Sequence, residues 1–390
     1  MKGKMERSIA RLFEPVEAGG IAFRNRFLRS ATWLAGCTEV SGEVTGPLMS
    51  RYAELAAGGL GGIISGYANV SADGRAQVRQ MNVDTDDRTA DVAKIATTVQ
   101  TLGARLIVQV AYGGAVSNPA AVRQGSIKGP SAMEKDPVFG NRVEAMTEAD
   151  IERVIGDFGA AARRVKEGGA DGVQLHGAHG YLLMQFLSTV FNQRTDRWGG
   201  DFDSRSAILL AVQEEVRSCV GPDFPVWWKL SVSEERDGGY TAEDGARLAE
   251  RLVEAGADGI EVSGGARYVG VERTNSRLGT RAGVDEGYFA AHAAMVKARV
   301  GNRAAVALVG GLKSPATAAR LLEDGVADLF SLCRPLIAES DLVNRWAEGD
   351  LRPAECISCN ACFKTVSEGI IYCPVMKQLH EGAWEPLPEC

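Results

Sequence analysis

The residues best suited to chemistry lie in one run of the sequence, where two histidines stand three residues apart and a tyrosine follows them. His176, His179 and Tyr181 occur in the segment His-Gly-Ala-His-Gly-Tyr. On a helical turn after a strand, two histidines at this spacing project into one pocket, where both donate hydrogen bonds to a carbonyl or phenolate oxygen. The tyrosine would be a nearby proton donor. Metal ligation and a purely structural role for the histidines are the alternatives, although no Asp or Glu accompanies them at ligand spacing.

A second chemical pattern is the crowding of cysteines near the end of the chain. Cys356, Cys359, Cys362 and Cys373 have the spacing of thiolate ligands, whereas Cys390 has no place in the pattern. Three closely spaced thiolates followed by a distal Cys-Pro resemble iron–sulfur ligation. Zinc is the second interpretation because four thiolates also form a closed structural site, and uncommitted thiols are the third. A secreted disulfide scaffold is excluded, since such chains are short and rich in cysteine throughout.

Composition restricts the class of protein. The 390 residues are 45% hydrophobic and 24% charged, which argues against disorder and against a coiled coil. A net charge of −7 and a pI near 5.4 give no basic footprint for nucleic acid. No apolar run approaches the roughly 20 residues of a membrane span, and the charged N-terminus lacks the apolar region of a signal peptide. We therefore expect a soluble, cytoplasmic globular protein that binds neither nucleic acid nor membrane.

A repeated phrase indicates the elements that position these residues. A helical stretch, a glycine, an Asp and a short apolar run recur at 167–176, 254–263 and 323–332, with a looser copy at 55–65. Further apolar runs lie at 27–30, 105–110, 226–230 and 305–309. Apolar strands alternating with helices favour a parallel sheet that is covered on its outer face. Residues 1–350 are therefore predicted to form an α/β (β/α)8 TIM barrel, with a doubly wound sheet as the alternative. Residues 351–390 are predicted to be a short Cys-rich C-terminal extension.

Chemistry in such barrels lies where the strands end, at the carboxyl rim. Turn formation explains the glycines found at these ends, but it explains Gln109, Lys229 and Arg334 poorly. The last two strand ends carry Gly310-Gly311 and Cys333-Arg334, at the place where barrels often bind phosphate near a helix N-terminus. Glycines admit backbone N–H groups to the phosphate oxygens, and an arginine pairs with two of them. A phosphate site is therefore predicted at this end.

The order of these motifs resembles the old yellow enzyme family, the NADH:flavin oxidoreductases, which are ene reductases built on FMN-binding barrels. The matching motifs are Asn25-Arg26, Gln109, the His-x-x-His-Gly-Tyr run, Asn192-x-Arg194-Thr-Asp196, Gly199-Gly200, Lys229, Gly310-Gly311 and Arg334. The cysteine tail resembles a subgroup that includes the 2,4-dienoyl-CoA reductases and trimethylamine dehydrogenase, whose barrels carry a 4Fe-4S cluster after strand eight. Here the third cysteine comes one residue earlier than in that subgroup.

The resemblance implies where FMN would bind. The flavin ring would be lined by backbone at Ser30, Ala31 and Thr32 and around Gly66-Tyr67. Gln109 would hydrogen-bond the pyrimidine edge, and Lys229 would place a positive charge near N1–C2=O. The phosphate would be held by Gly310, Gly311, Cys333 and Arg334. Tyr67 replaces a residue that is usually small in the family, and its side chain would point either towards the flavin or away from it.

The resemblance also implies the reaction, which is reduction of an activated C=C bond in an enone, enoate or enoyl thioester with NAD(P)H as reductant. His176 and His179 would bind the substrate oxygen, flavin N5 would give a hydride to the β-carbon, and Tyr181 would protonate the α-carbon. The alternatives are a dehydrogenase or demethylase running oxidatively, a flavin/iron–sulfur electron-transfer subunit without a substrate, and a lyase or isomerase that binds a sugar phosphate. Because the chain ends at Cys390, a cluster is expected to need a separate electron-transfer protein. A homo-oligomer is also expected.

Overall fold

The computed structural model describes residues 2–38, 41–122, 125–270 and 272–379, so Cys390 lies outside the described residues. Its central sheet contains the strands β1 Phe27–Arg29, β2 Gly62–Ile64, β3 Arg105–Ala111, β4 Gly172–Gly177, β5 Val226–Ser231, β6 Gly259–Ser263, β7 Ala305–Val309 and β8 Leu329–Leu332. All neighbours pair in parallel, and β1 pairs with both β2 and β8, which closes the sheet. The predicted TIM barrel is confirmed.

One helix follows each strand and covers the outer face of the barrel. These helices are α1 Gly46–Ala57, α2 Thr89–Thr101, α3 Glu148–Glu167, α4 Phe202–Val220, α5 Ala242–Glu254, α6 Ala290–Val300, α7 Pro315–Glu323 and α8 Leu342–Ala347. The sequence predicts N-caps at Thr147 and Thr241, and both are present as capping boxes with Asp150 and Asp244. In each box the threonine hydroxyl accepts the aspartate backbone N–H at 3.2 Å. At the start of α3 and of α5, the capping box therefore provides hydrogen-bond partners for backbone amides that would otherwise be unpaired.

Shorter helices, turns and strands lie outside the eight strand–helix units of the barrel. The helical ones are Lys2–Ala10, Leu182–Leu187, Pro335–Ala338 and Pro374–Leu379, and the 3-10 turns are Ala72–Gly74, Asp86–Arg88, Gly114–Val116 and Ala361–Glu368. The extended ones are a hairpin of Val16–Ala18 and Ile21–Phe23, the strand Ala68–Asn69 beside β3, and the pair Lys128–Gly129 and Glu144–Ala145. None of the described helices combines the length and the apolar character that a bilayer crossing requires.

The barrel interior has an apolar layer below a polar one. At the amino-terminal end, Ile21 and Phe23 of the hairpin pack on Trp227 and close the barrel. The Trp227 Nε1–H donates to the Gly19 carbonyl at 3.0 Å, and a Cβ at Gly259 would lie 2.4 Å from the indole. Two residues further along the strands, on the same inward face, the side chains are Ser30, Gln109, Gln174, Lys229, Glu261 and Ser331. The apolar layer thus forms a floor beneath buried polar groups.

The chain beyond α8 packs on the carboxyl end of the barrel. The Ala354 N–H donates to the Lys313 carbonyl at 2.8 Å, and the Ile371 N–H donates to the Leu34 carbonyl at 3.0 Å. Cys362 belongs to the main hydrophobic core. This segment therefore reaches the rim where the strands end. The domain boundary at residue 350 stays a prediction.

Candidate active site

A cavity of about 620 Å³ opens at the carboxyl end of the barrel, which is within the usual size of cofactor and ligand sites. The predicted site residues that line it are Ser30, Ala31, Thr32, Tyr67, Gln109, His176, His179, Tyr181, Lys229, Gly310, Gly311, Cys333 and Arg334. The predicted residue Gly66 does not line the cavity, and its N–H donates to the Tyr52 hydroxyl at 3.0 Å. A Cβ at Gly66 would lie 2.9 Å from the Thr32 carbonyl oxygen, so the glycine allows two strand ends to approach.

His176 presents an N–H group to this cavity. The side chain is buried, and its Nδ1 accepts the Ala178 backbone N–H at 3.2 Å. Burial, with a smaller contribution from the Lys229 charge, lowers the pKa of His176 to about 3, so the ring is neutral. A neutral imidazole carries one proton, and Nδ1 is already an acceptor. The proton is therefore on Nε2, which makes His176 a hydrogen-bond donor.

His179 lies beside His176, with the ring planes at 89° and the centroids 5.2 Å apart. Its backbone is left-handed (φ +60°) and its N–H donates to Ser231 Oγ at 3.1 Å. Burial first, with a smaller contribution from the Lys229 charge, holds the pKa of His179 well below its ordinary value. Its Nε2 is 2.8 Å from Ser263 Oγ. The two predicted histidines therefore share one cavity, but His179 is already paired.

Tyr181 and Tyr67 form a pair of phenols above the same cavity. Their hydroxyl oxygens are 3.0 Å apart, and the Tyr181 ring centroid is 5.0 Å from that of His176. Burial is the main cause that raises the pKa of both phenols, well above the ordinary value for Tyr67. The hydrogen bond between the two hydroxyls acts in the opposite direction and lowers the pKa of Tyr181. Tyr181 therefore keeps its proton at neutral pH, and the Tyr67 hydroxyl lies beside it at the cavity wall.

The polar layer of the barrel forms a connected network under the cavity. Gln109 Nε2 donates to Gln174 Oε1 at 2.7 Å, and Gln174 Nε2 donates to Glu261 Oε2 at 3.0 Å. Lys229 Nζ lies 2.9 Å from Glu261 Oε2 and donates to Ser30 Oγ at 2.8 Å. The sequence prediction omits Gln174 and Glu261. Both occupy inward-facing positions of their strands, as Gln109 and Lys229 do. Because alternate residues of a strand face the same side, this pattern could have identified them.

The double glycine after β7 is required by backbone geometry and by close packing. Gly310 and Gly311 have φ of +143° and +70°. A Cβ at Gly311 would lie 2.7 Å from the Tyr288 ring, and one at Gly310 would lie 3.1 Å from it. Both glycines also line the cavity, and with no side chain they leave their backbone amides accessible to a ligand.

Two cationic side chains, Arg334 and Lys313, line the part of the cavity where the sequence predicts a phosphate. Arg334 Nη1 donates to the Arg277 carbonyl and to Asn360 Oδ1, each at 2.8 Å. Lys313 also lines the cavity, although it was not predicted from the sequence. Burial is the main cause that lowers the pKa of Lys313. The N-terminus of α7 is already occupied, because Glu286 accepts the N–H of Lys313 at 2.8 Å and that of Ser314 at 3.0 Å. A bound anion would therefore use the two side-chain cations and the glycine amides.

Part of the cavity wall comes from segments without a recognisable motif. The loop between β6 and α6 contributes Arg267, Thr274, Asn275, Ser276 and Tyr288, and the chain after α8 contributes Ser358, Asn360, Phe363 and Val366. These positions depend on tertiary packing. Their residue types alone give no indication of it.

The four predicted ligand cysteines come together in one smaller cavity. Cys356, Cys359, Cys362 and Cys373 all line it, and Arg334 lies at its edge towards the larger cavity. Burial is the main cause that raises the pKa of Cys362 to about 12. Within the described ranges no three His, Cys, Asp or Glu side chains converge at metal-binding geometry. The four thiols therefore share one cavity but are not arranged as a closed ligand set here.

The larger cavity suits a flat polar ring that carries a phosphate. Gln109 and Lys229 lie at one part of it, and Arg334 and Lys313 lie at another. Ser331 Oγ is buried on this wall and has no hydrogen-bond partner among the described residues. A ligand that accepts and donates hydrogen bonds would supply the missing partner. These residues fit FMN.

Comparison with known proteins identifies the class. The profile of the NADH:flavin oxidoreductase / NADH oxidase family matches residues 11–352, and the chain belongs to this family. The family indicated by the motif order is thereby confirmed. The match ends before the first of the clustered cysteines.

Individual relatives fall into two length groups. An NADPH dehydrogenase of Geobacillus sp. (strain WCH70) is 33% identical over 326 residues, which cover 84% of this chain and 90% of that protein. An NADH oxidase of Thermoanaerobacter brockii is 32% identical over 361 residues, which cover 90% of this chain but 52% of that protein. The structure of a 2-naphthoyl-CoA reductase in complex with 2-naphthoyl-CoA has a TM-score of 0.85 at 25% identity and covers 97% of this chain and 58% of its own. The chain therefore spans about half the length of its longer relatives.

Proposed function

We propose that this chain provides the active site of an FMN-dependent NAD(P)H oxidoreductase that reduces a C=C bond conjugated to a carbonyl group. The observation that carries the proposal is a neutral His176 with its proton on Nε2, whose ring centroid is 5.0 Å from that of a protonated tyrosine. A donor for the carbonyl oxygen and an acid for the adjacent carbon are the two groups that the reaction requires of the protein.

The cofactor, when bound, supplies the hydride that it has accepted from NAD(P)H. His176 Nε2–H donates to the carbonyl oxygen, whose negative charge grows in the transition state, so the bond strengthens as the reaction proceeds. Tyr181 Oη transfers its proton to the α-carbon. In the structure Tyr181 Oη donates to Tyr67 Oη at 3.0 Å. This hydrogen bond reverses on proton transfer, so that Tyr67 Oη then donates to the phenolate oxygen that remains on Tyr181. One hydride and one proton are thus added across the double bond.

Replacement of Tyr181 by phenylalanine tests this assignment. With FMN-reconstituted protein under anaerobic conditions, Tyr181→Phe should slow reoxidation of the reduced flavin by an enone at least about 100-fold, because a general acid contributes a factor of this size. Flavin reduction by NADPH or NADH should be nearly unchanged. Stopped-flow absorbance measures both half-reactions separately.

A matched control is Tyr240→Phe, which removes a buried hydroxyl that donates to the Ser231 carbonyl and does not line the cavity. It should leave both half-reactions close to wild type. An equal loss in both half-reactions of Tyr181→Phe would contradict the proton-donor role.

An electron-transfer role is the second candidate, and the cysteine segment favours it. The four thiols share one cavity that adjoins the proposed FMN site. The 2-naphthoyl-CoA reductase structure aligns with 97% of this chain, so the match reaches into this segment. We propose an iron–sulfur cluster there, with a separate electron-transfer protein as its partner. Iron and acid-labile sulfide assays on anaerobically purified protein test the cluster. Steady turnover of an enone with NADPH or NADH alone would exclude a subunit that has no substrate of its own.

A further inference from the structure

The barrel interior contains a buried ion pair directly beneath the proposed flavin site. Lys229 stands opposite both His176 and Glu261 in the sheet register. Glu261 is 0% exposed, and its Oε2 contacts both Lys229 Nζ at 2.9 Å and Gln174 Nε2 at 3.0 Å. Its other oxygen, Oε1, is buried without a hydrogen-bond partner among the described residues. The carboxylate is therefore held by Lys229, Gln174 and the Ser30 side chain, with Oε1 left unsatisfied.

Both members of the pair are charged. Burial acts to raise the pKa of Glu261, but the Lys229 charge and the hydrogen bonds outweigh it and leave the pKa below its ordinary value. The Lys229 ammonium has two anchors, Glu261 Oε2 and Ser30 Oγ. The ammonium group therefore has a fixed position and a nearby negative charge.

Fold stability alone is a poor explanation for this arrangement. Burying two charges costs more than their attraction usually returns, and an apolar or neutral pair of similar volume is often as stable or more stable. An unsatisfied carboxylate oxygen adds to that cost. The strand floor just below is apolar, so the ion pair belongs to the part of the interior that faces the ligand. The pair would instead have a functional role if it controlled the charge beside a ligand whose own charge changes during the reaction.

We propose that Glu261 is a positioning residue that holds Lys229 against the flavin site and offsets its charge, which lowers the reduction potential of bound flavin. A cation near the N1–C2=O edge stabilises the reduced, more negative flavin, and charge at this edge is a known means of tuning such cofactors. A partly neutralised cation stabilises it less. The reduced flavin is then the stronger hydride donor towards a C=C bond. This inference rests on the proposed function, since it requires FMN in the cavity.

The test is the midpoint potential of FMN bound to Glu261→Gln, measured by anaerobic spectroelectrochemistry. The amide keeps the side-chain length and the contact with Gln174 but removes the negative charge. The potential should become more positive, so that the ratio of reduced to oxidised flavin at a fixed electrode potential rises about tenfold, which is about 30 mV for a two-electron couple. FMN affinity and thermal unfolding are measured on the same samples.

Two further variants keep the result interpretable. Glu261→Asp retains the charge one methylene further from Lys229, so its potential should lie between those of wild type and Glu261→Gln. It decides the matter if the glutamine variant does not fold. Glu234→Gln is the matched control, because Glu234 is also wholly buried and paired with a cation, Arg236 at 3.3 Å, but its partners Arg236, Ser188 and Tyr268 do not include Lys229. Its potential should equal that of wild type.

The outcomes separate this inference from the proposed function. Bound FMN with a wild-type potential in the folded Glu261 variants would overturn the role of Glu261 and leave the proposed function standing. An equal positive shift in Glu234→Gln would also overturn it, because the effect would then follow net charge alone. Failure of wild-type protein to bind FMN would overturn the proposed function and this inference with it.

Discussion

The buried histidines affect the fold as well as the site. His176 and His179 are neutral in the folded chain because burial lowers their pKa, to about 3 for His176. In the unfolded chain the same side chains would take up protons below about pH 6.5. Between these two values the unfolded state binds more protons than the folded state, so acid favours unfolding. The two histidines at the proposed carbonyl-binding site therefore also set a lower pH limit for stability.

We predict that the free energy of unfolding falls as the pH is lowered from 6.5 to 4.5. Each buried histidine should contribute a slope of up to about 1.4 kcal/mol per pH unit. His176→Gln should remove its share of the slope, and urea titrations at several pH values measure it. Identical slopes in wild type and variant would show that His176 is not the titrating group.

At this scale the sequence predicts which residues meet, but not how they are paired. The motif places His176, His179 and Tyr181 in one pocket because it joins a strand end to a short helix. The pairing of His179 with Ser263 and the phenol contact between Tyr67 and Tyr181 join positions far apart in the chain. Such contacts depend on how three strands are arranged, which residue types in one segment do not specify.

At the scale of elements, a glycine in one strand makes room for a tryptophan in the next. Gly259 of β6 lies opposite Trp227 of β5 in the register, and the indole fills the space where a side chain would be. This packing supports the floor on which Lys229 and Glu261 rest, since each lies two residues further along its strand. The strand positions follow from the repeated apolar phrase, whereas this size complementarity does not, because it joins residues 32 positions apart in the printed sequence.

We predict that Gly259→Ala lowers the free energy of unfolding by about 1–3 kcal/mol, the range for overpacking a filled core. The added Cβ would lie 2.4 Å from the indole of a wholly buried Trp227. Thermal and urea unfolding measure the loss. Gly156→Ala in α3 is the control, because a Cβ there meets nothing within 4 Å and alanine favours a helix. Equal stability of the two variants would contradict a tightly packed floor.

At the scale of the whole molecule, the cysteine segment is part of the proposed cofactor site. Asn360 joins three separate parts of the chain, since its Oδ1 accepts from Arg334 at 2.8 Å and its Nδ2 donates to the Ser276 carbonyl at 2.9 Å. The sequence predicts the barrel and the cysteine spacing. It does not indicate that the segment between the cysteines covers the barrel mouth, because Arg334, Ser276 and Asn360 are brought together only by folding.

We predict that Asn360→Ala weakens FMN binding about tenfold, because Arg334 loses an acceptor and the tail loses a contact with the loop between β6 and α6. A hydrogen bond to a charged group is worth about 1.5–3 kcal/mol, which is enough for this change. Fluorescence titration of apoprotein with FMN measures the dissociation constant. Asn344→Ala is the control, because Asn344 Nδ2 donates to the Ala57 carbonyl and its side chain does not line the cavity. Equal affinity in all three proteins would separate the tail from cofactor binding.

The hairpin that closes the amino-terminal end of the barrel determines how reactants reach the cavity. With Ile21, Phe23 and Trp227 filling that end, the cavity has its opening at the opposite end. In the proposed reaction the nicotinamide and the unsaturated carbonyl compound must then enter through the same opening and bind in turn at the same site. Departure of the spent nucleotide becomes a step of every turnover, and each reactant competes with the other for the space it needs.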